Sequence, residues 1–445
     1  MVNSSSDSTI DSLPRANRFG LLVRNRLSGW IALIVVIVGV SLTGLRTYRQ
    51  YAPPARIFDH SHTGMSDFHN GAFFPALAFR EGVNPYSNEI CDAYPTPRSV
   101  PPYSPIVFML YAPLTFLSIE QADVAFFAIN VLLVALIAYF GISMAGAKFE
   151  WAPWLWGIAL LVYSRPGHIT LFTGYFTAQL VIGTLLAVHF AKTRPVLAGL
   201  GMLLASGKPT YILPLTIMML FRRDYKAVAI GLVFCVLAAA IGLGWIASHS
   251  NLEQVVEGVR QAQSAHHEDP SEDPVNTWTR LDAVGVVSKI MEWKPGNKTY
   301  FAAMLALLVM PGITVWRCTR NEGNTGATSL SGMIICLAML VSIYHQSYDY
   351  LLMGVAWFGV AFFSAASGEL KSYERFTLIA LLGIPAVNYL STSRFRDVMG
   401  FDDQSGMWTV ITSVNGVCLL AAMLILIAVA WRTSKQNLVC QSNSN

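Results

Sequence analysis

The chain has 445 residues, 54% hydrophobic and 13% charged, with a mean hydropathy of +0.48. Its many long apolar runs exclude a soluble fold and point to an all-α polytopic membrane protein, because lipid leaves no partner for unpaired backbone groups. A formal charge of +4 carries no nucleic-acid signature, and six cysteines without a CxxC pair give neither a metal site nor a disulfide framework.

The first apolar run, Trp30 to Leu45, follows Arg15, Arg18, Arg24 and Arg26 in the manner of a signal peptide. Leu45-Arg46-Thr47-Tyr48-Arg49 offers no small-residue cleavage site, so the run reads as a retained span over about 29–47 behind a cytoplasmic tail, 1–28. Residues 48–119 then form an extracytoplasmic segment. Its apolar, proline-broken end, Tyr103 to Leu117, is too short to cross and reads as re-entrant or interfacial. Further spans are expected at about 120–145, 152–165, 169–191, 226–248, 299–317, 329–346, 349–366, 375–391 and 409–431.

The stretch 196–221 contains two short apolar pieces separated by Gly207-Lys208-Pro209. Read as one kinked span, it would turn Arg222, Arg223, Lys226 and every later basic cluster to the outside. The positive-inside rule therefore favours a hairpin of two short helices with Lys208 at its tip. This gives about twelve transmembrane elements in a single domain, 29–431, with a cytoplasmic tail at 432–445. Extracytoplasmic loops at 48–119, 249–298 and 392–408 carry short amphipathic helices.

In this topology the outer face collects the chemistry. Asp67 lies in a polar stretch before an apolar run that ends at Arg80-Glu81-Gly82, the pattern of an amphipathic helix closed by glycine. It can cap that helix, or serve as a general base toward an attacking hydroxyl. Asp59 competes for the same role, and its neighbours His60 and His62 are weak evidence for a metal. Lys208 can meet a phosphate at the membrane boundary or simply snorkel. Arg165 and His168, in a short outer turn, can complete an anion site or anchor the interface. His345 and Asp349 share a face at i and i+4 if their segment is helical. The charge-dense run His266 to Pro274 reads as a solvated loop able to close over a substrate.

In order along the chain come Asp67, Gly82-Val83-Asn84-Pro85-Tyr86, Pro101-Pro102-Tyr103-Ser104-Pro105, Ala112-Pro113-Leu114, Leu171-Phe172-Thr173-Gly174, Ala205-Ser206-Gly207-Lys208-Pro209 and the patch His345–Asp349. This succession resembles glycosyltransferase family 87 of the GT-C superfamily over most of residues 60–350. One departure stands out: Gly174-Tyr175-Phe176-Thr177-Ala178-Gln179 replaces an expected Gly-Gln-x-Asn.

The resemblance implies a GT-C-type fold and an inverting, metal-independent transfer from a polyprenyl-phosphate sugar, mannose favoured among hexoses and pentoses. The acceptor would be a glycolipid or glycan, on the extracytoplasmic side of the inner membrane. It implies Asp67 as the base and Lys208, Arg165 and His168 at the donor phosphate. His345, Tyr348, Asp349, His69, Tyr86 and Tyr103 would face the sugar or acceptor. No cofactor beyond the lipid-linked donor is implied. The rival is a secondary transporter or flippase, which also uses interrupted helices; the absence of an internal repeat and the one-sided polar residues weigh against it.

Overall fold

The computed structural model describes residues 25–51, 64–97, 99–146, 148–268, 273–319, 326–362, 370–402 and 405–442. Among them every regular element is helical, apart from one isolated antiparallel bridge between Arg280 and Gln346. The first half holds α1 (Arg26–Tyr48), α2 (the continuous run Ser66–Phe68, His69–Phe73 and Phe74–Glu81), α3 (Ile119–Met144), α4 (Trp151–Tyr163), α5 (Arg165–Thr173) and α6 (Thr177–Phe190). Next come α7 (Pro195–Ala205), α8 (Pro209–Phe221), α9 (Tyr225–His249), α10 (Leu252–Glu268) and α11 (Ala283–Met291). The chain ends with α12 (Asn297–Cys318), α13 (Leu330–Ser342), α14 (Gly354–Phe362), α15 (Ser372–Val387) and α16 (Gly406–Ser442).

Among the described residues five helices are long and apolar enough to cross a membrane: α1, α3, α9, α12 and the Gly406–Ser434 part of α16. These are fewer than the twelve elements expected. The difference lies in shorter apolar pieces, α4, α6, α7, α8, α13 and Ile106–Phe116, of 10–17 residues each. Some expected single spans are also broken. Gly174, at φ +74, ends α5 before α6 begins, so 169–191 is two helices. The expected span 349–366 opens with a 3-10 turn, Ser347–Met353, before α14.

The outer helices turn apolar side chains outward, as a lipid solvent allows: α1 exposes Ile34 and Leu42, and α9 exposes Val236 and Ile241. At the centre α13 is buried on every side over its whole length, enclosed by α8, α12 and α16. Helices α6 and α7 cross backbone to backbone. A Cβ on Gly183 would lie 2.7 Å from the Gly201 carbonyl oxygen, so only glycine permits that approach.

The two short helices around Lys208 leave one face of the bundle and return to it. Lys192, in the turn before α7, ion-pairs with Asp224 at 2.8 Å and donates to the Arg223 carbonyl at 2.9 Å, both beyond the end of α8. Lys208 is thus placed at the far end, beside residues 67–71, 97–103 and 274–301. Helix α2 is more deeply embedded than an amphipathic surface helix, with residues from Phe68 to Phe79 buried on most sides. It closes as expected, on Gly82 at φ +79.

Candidate active site

At the Lys208 end lies a cavity of about 810 Å³ whose wall includes Asp67, Lys208, Tyr103, Tyr348, Tyr344 and Arg280. Its walls come from α2, the loop before Ile106, the tip between α7 and α8, the strip at 343–348 and the segment 274–301. Asp59 and its neighbours lie outside the described residues, as do the side chains of His266 and His267.

Asp67 is aimed by its neighbours. The helix start is capped by Met65 without a side-chain hydrogen bond, so Asp67 sits in the first turn and does not act as the cap. Phe68 stacks on Phe126 of α3 at 4.1 Å between centroids, and His69 Nε2 lies 2.8 Å from Asp123 Oδ1 of the same helix. With the two following residues fixed on α3, the half-buried Asp67 faces the cavity together with Asn70 and Gly71. A π turn at His69–Phe73 resets the helix register at this point, an irregularity frequent at functional sites.

Gly174 supports the arrangement from below. A Cβ there would stand 2.7 Å from Phe68 Cβ, and its φ of +74 disfavours any side chain. Gly174→Ala is therefore expected to cost about 1–3 kcal/mol in stability. Because it pushes on the residue beside Asp67, it should also lower turnover roughly tenfold or more. Thermal unfolding and a transfer assay on the same preparation check both effects.

Lys208 is buried yet lines the cavity. Its ammonium lies over three tyrosine rings, Tyr175, Tyr344 and Tyr348, at 5.4, 5.6 and 5.2 Å. Behind it, Asp349 Oδ2 accepts from Lys208 Nζ at 2.9 Å and from the Gln346 amide at 3.0 Å, with His345 Nδ1 also 3.0 Å away. The other oxygen, Oδ1, accepts from the Tyr211 hydroxyl at 3.0 Å. A buried carboxylate so fully engaged is a fixed counter-charge; it leaves Lys208 further N–H groups for an anion in the cavity.

The structure separates the expected site residues into two groups. Asp67, Lys208, Tyr103 and Tyr348 meet at the cavity. The others are not among its lining residues. Asp349 and His345 hold Lys208, and the His345–Asp349 contact forms at the mouth of a 3-10 turn and not on an α-helical face. His69 fastens α2 to α3, and the Tyr86 hydroxyl donates to the Tyr103 carbonyl, steadying the loop that presents the Tyr103 ring. Arg165 is buried with its guanidinium on the side chain and carbonyl of Ser391, before the start of α16. His168 packs back on α1, 2.7 Å from Arg46 and 3.3 Å from Thr43. In the departing motif Tyr175 takes a place on the cavity wall, while Gln179 is buried, accepting from the Tyr111 hydroxyl.

Other wall residues were not singled out from sequence. Arg280 is buried, its Nε and NH2 each 2.8 Å from the carboxylate of Asp282, and its NH2 2.7 Å from the Tyr300 hydroxyl. Burial opposes the charge on Asp282, but Arg280 and the Gly285 amide hold its carboxyl below the usual range. Asp282 also caps α11. That cap was the available signal: an Arg-x-Asp directly before an apolar helical run.

Comparison with known proteins supplies one further finding. The family model for glycosyltransferase family 87 matches residues 102–342, more than half of the chain. No curated protein and no solved structure matches it.

Proposed function

The chain belongs to glycosyltransferase family 87 and is a membrane glycosyltransferase, and from that premise we propose that it moves a hexose or pentose, mannose favoured, from a polyprenyl-phosphate donor to a glycolipid or glycan acceptor. The observation that carries this reading is the presence of a carboxylate, Asp67, and a buried cation, Lys208, on the wall of one cavity.

The acceptor hydroxyl gives its proton to the Asp67 carboxylate as its oxygen attacks the anomeric carbon. The bond from that carbon to the phosphate oxygen breaks, its electron pair leaves with the polyprenyl phosphate, and the configuration inverts. Lys208 stabilises the leaving phosphate, which departs well enough to need no metal. Tyr103 and Tyr348 face the sugar as stacking surfaces. Asp349 and His345 serve by holding Lys208, while His69 and Tyr86 steady the walls. Arg165 and His168 act in helix packing.

The test is transfer by the purified protein from a polyprenyl-phosphate sugar. Direct use of a nucleotide sugar, with none from the lipid-linked donor, would overturn the reading. Lys208→Ala should weaken donor binding roughly ten- to a hundredfold, read as a rise in KM or in a direct titration. The active face is proposed to be extracytoplasmic. Lys294, on the cavity wall with a side chain 58% exposed, gives the check: Lys294→Cys should react with a membrane-impermeant thiol reagent in intact cells. Protection until lysis would invert the topology.

A further inference from the structure

Lys208 is not alone on the wall. Arg280 Cζ lies 5.0 Å from the centroid of the Tyr344 ring, and Lys208 Nζ lies 5.6 Å from the same centroid. Those two distances keep the charges within about 11 Å of each other. Their supports are joined as well. The Leu281 amide donates to the His345 carbonyl at 2.9 Å, and Arg280 bridges to Gln346, so the Arg280 segment is stitched to the strip that positions Asp349 behind Lys208.

The side chain is also prepared for an anion. Asp282 and Tyr300 engage Nε and NH2, while NH1 makes no hydrogen bond among the described residues. The residue lines the cavity although it is 5% exposed. An arginine on a cavity wall, held by Nε and NH2 and with NH1 left over, is a preorganised donor to a phosphate oxygen.

Charge accounting favours a second cation here. In the donor the phosphate is a diester with one negative charge. Once the glycosidic bond breaks it is a monoester, which carries about −1.5 to −2 near neutral pH. A cation that meets the added charge acts on the transition state more than on the bound donor.

We propose that Arg280 is the second phosphate-directed cation of this site, presenting NH1 to the oxygen freed as the sugar leaves, with Tyr344 spacing it from Lys208. The inference rests on the polyprenyl-phosphate reading above. It makes the segment 274–301 part of the donor site and not merely its cover.

The test uses the full-length protein in lipid nanodiscs, with a polyprenyl monophosphate as probe and the matching polyprenol as phosphate-free control. Wild type should prefer the phosphate. Arg280→Gln should lose roughly tenfold of that preference while binding the alcohol as before. The double variant Arg280→Gln/Asp282→Asn, which leaves no uncompensated buried carboxylate, should behave alike and serves if the single variant does not fold. Full phosphate preference in these variants, or loss of alcohol binding in parallel, makes Arg280 a wall support and overturns the inference. If preference then falls only with Lys208→Gln, the donor reading survives without Arg280. A wild type indifferent to the phosphate overturns both.

Discussion

Asp67→Asn protein is expected to fold, bind the polyprenyl-phosphate donor and transfer roughly 10²- to 10⁴-fold more slowly than wild type. Asparagine matches the shape of aspartate but cannot take the hydroxyl proton. The competing explanation of Asp67, as a helix-start charge, predicts something different. The N-cap position belongs to Met65, without a side-chain bond, so as a helix-start charge Asp67 contributes only a favourable interaction with the first-turn dipole. That is worth about 0.3–1 kcal/mol at an exposed site, too little to unfold the protein or abolish turnover. Measured stability close to wild type together with lost transfer thus identifies a proton acceptor. Near-normal transfer would move the base elsewhere, and Asp59 would be the first residue to test.

The second large effect is at Asp349. The carboxylate gathers Lys208, Tyr211, His345 and the Gln346 amide in a fully buried setting. Asp349→Ala leaves a buried ammonium without its counter-charge and strands the hydroxyl of Tyr211, a combination that costs about 3–5 kcal/mol. The variant should show a much lower midpoint of thermal unfolding and no donor binding. Adding Lys208→Met removes the stranded charge. The double variant should recover much of the lost stability while remaining unable to bind the donor phosphate. Recovery of stability without recovery of binding separates the structural from the functional half of the pair. If the double variant is as unstable as the single one, Asp349 acts mainly through His345 and Tyr211.

Which of these features the sequence revealed depended on what kind of signal marked them. The Lys208 tip was legible because basic residues on both sides of the short helices, Lys192 and Arg222–Arg223, had to end on one face, and contacts between them bear that out. Asp67 was legible because a carboxylate is rare in so apolar a chain. Arg165 and His168 were harder: sidedness tells which end of the bundle a cation occupies, not whether it points into a cavity or back into helix packing. Ser391 and Arg46, which decide that question, lie far away in sequence. Arg280 was hidden for the opposite reason. A single arginine in a long polar loop is ordinary, and only its pairing across to His345 and Gln346 makes it part of a wall. The expected span count rested on hydropathy, which does not register a turn as tight as Gly174 or a 3-10 segment such as Ser347–Met353.

The central helix Leu330–Ser342 has a bearing on how the protein is made. At about 1.5 Å of rise per residue it is shorter than a typical hydrocarbon core, and no side of it faces lipid in the finished bundle. Such a helix has no resting place in the bilayer by itself. Its enclosure includes α16, which is synthesised after it. The enclosure of α13 therefore waits for α16, and a chain cut before residue 406 is expected to leave α13 uncovered and be degraded in the membrane, although every residue lining the cavity would still be present.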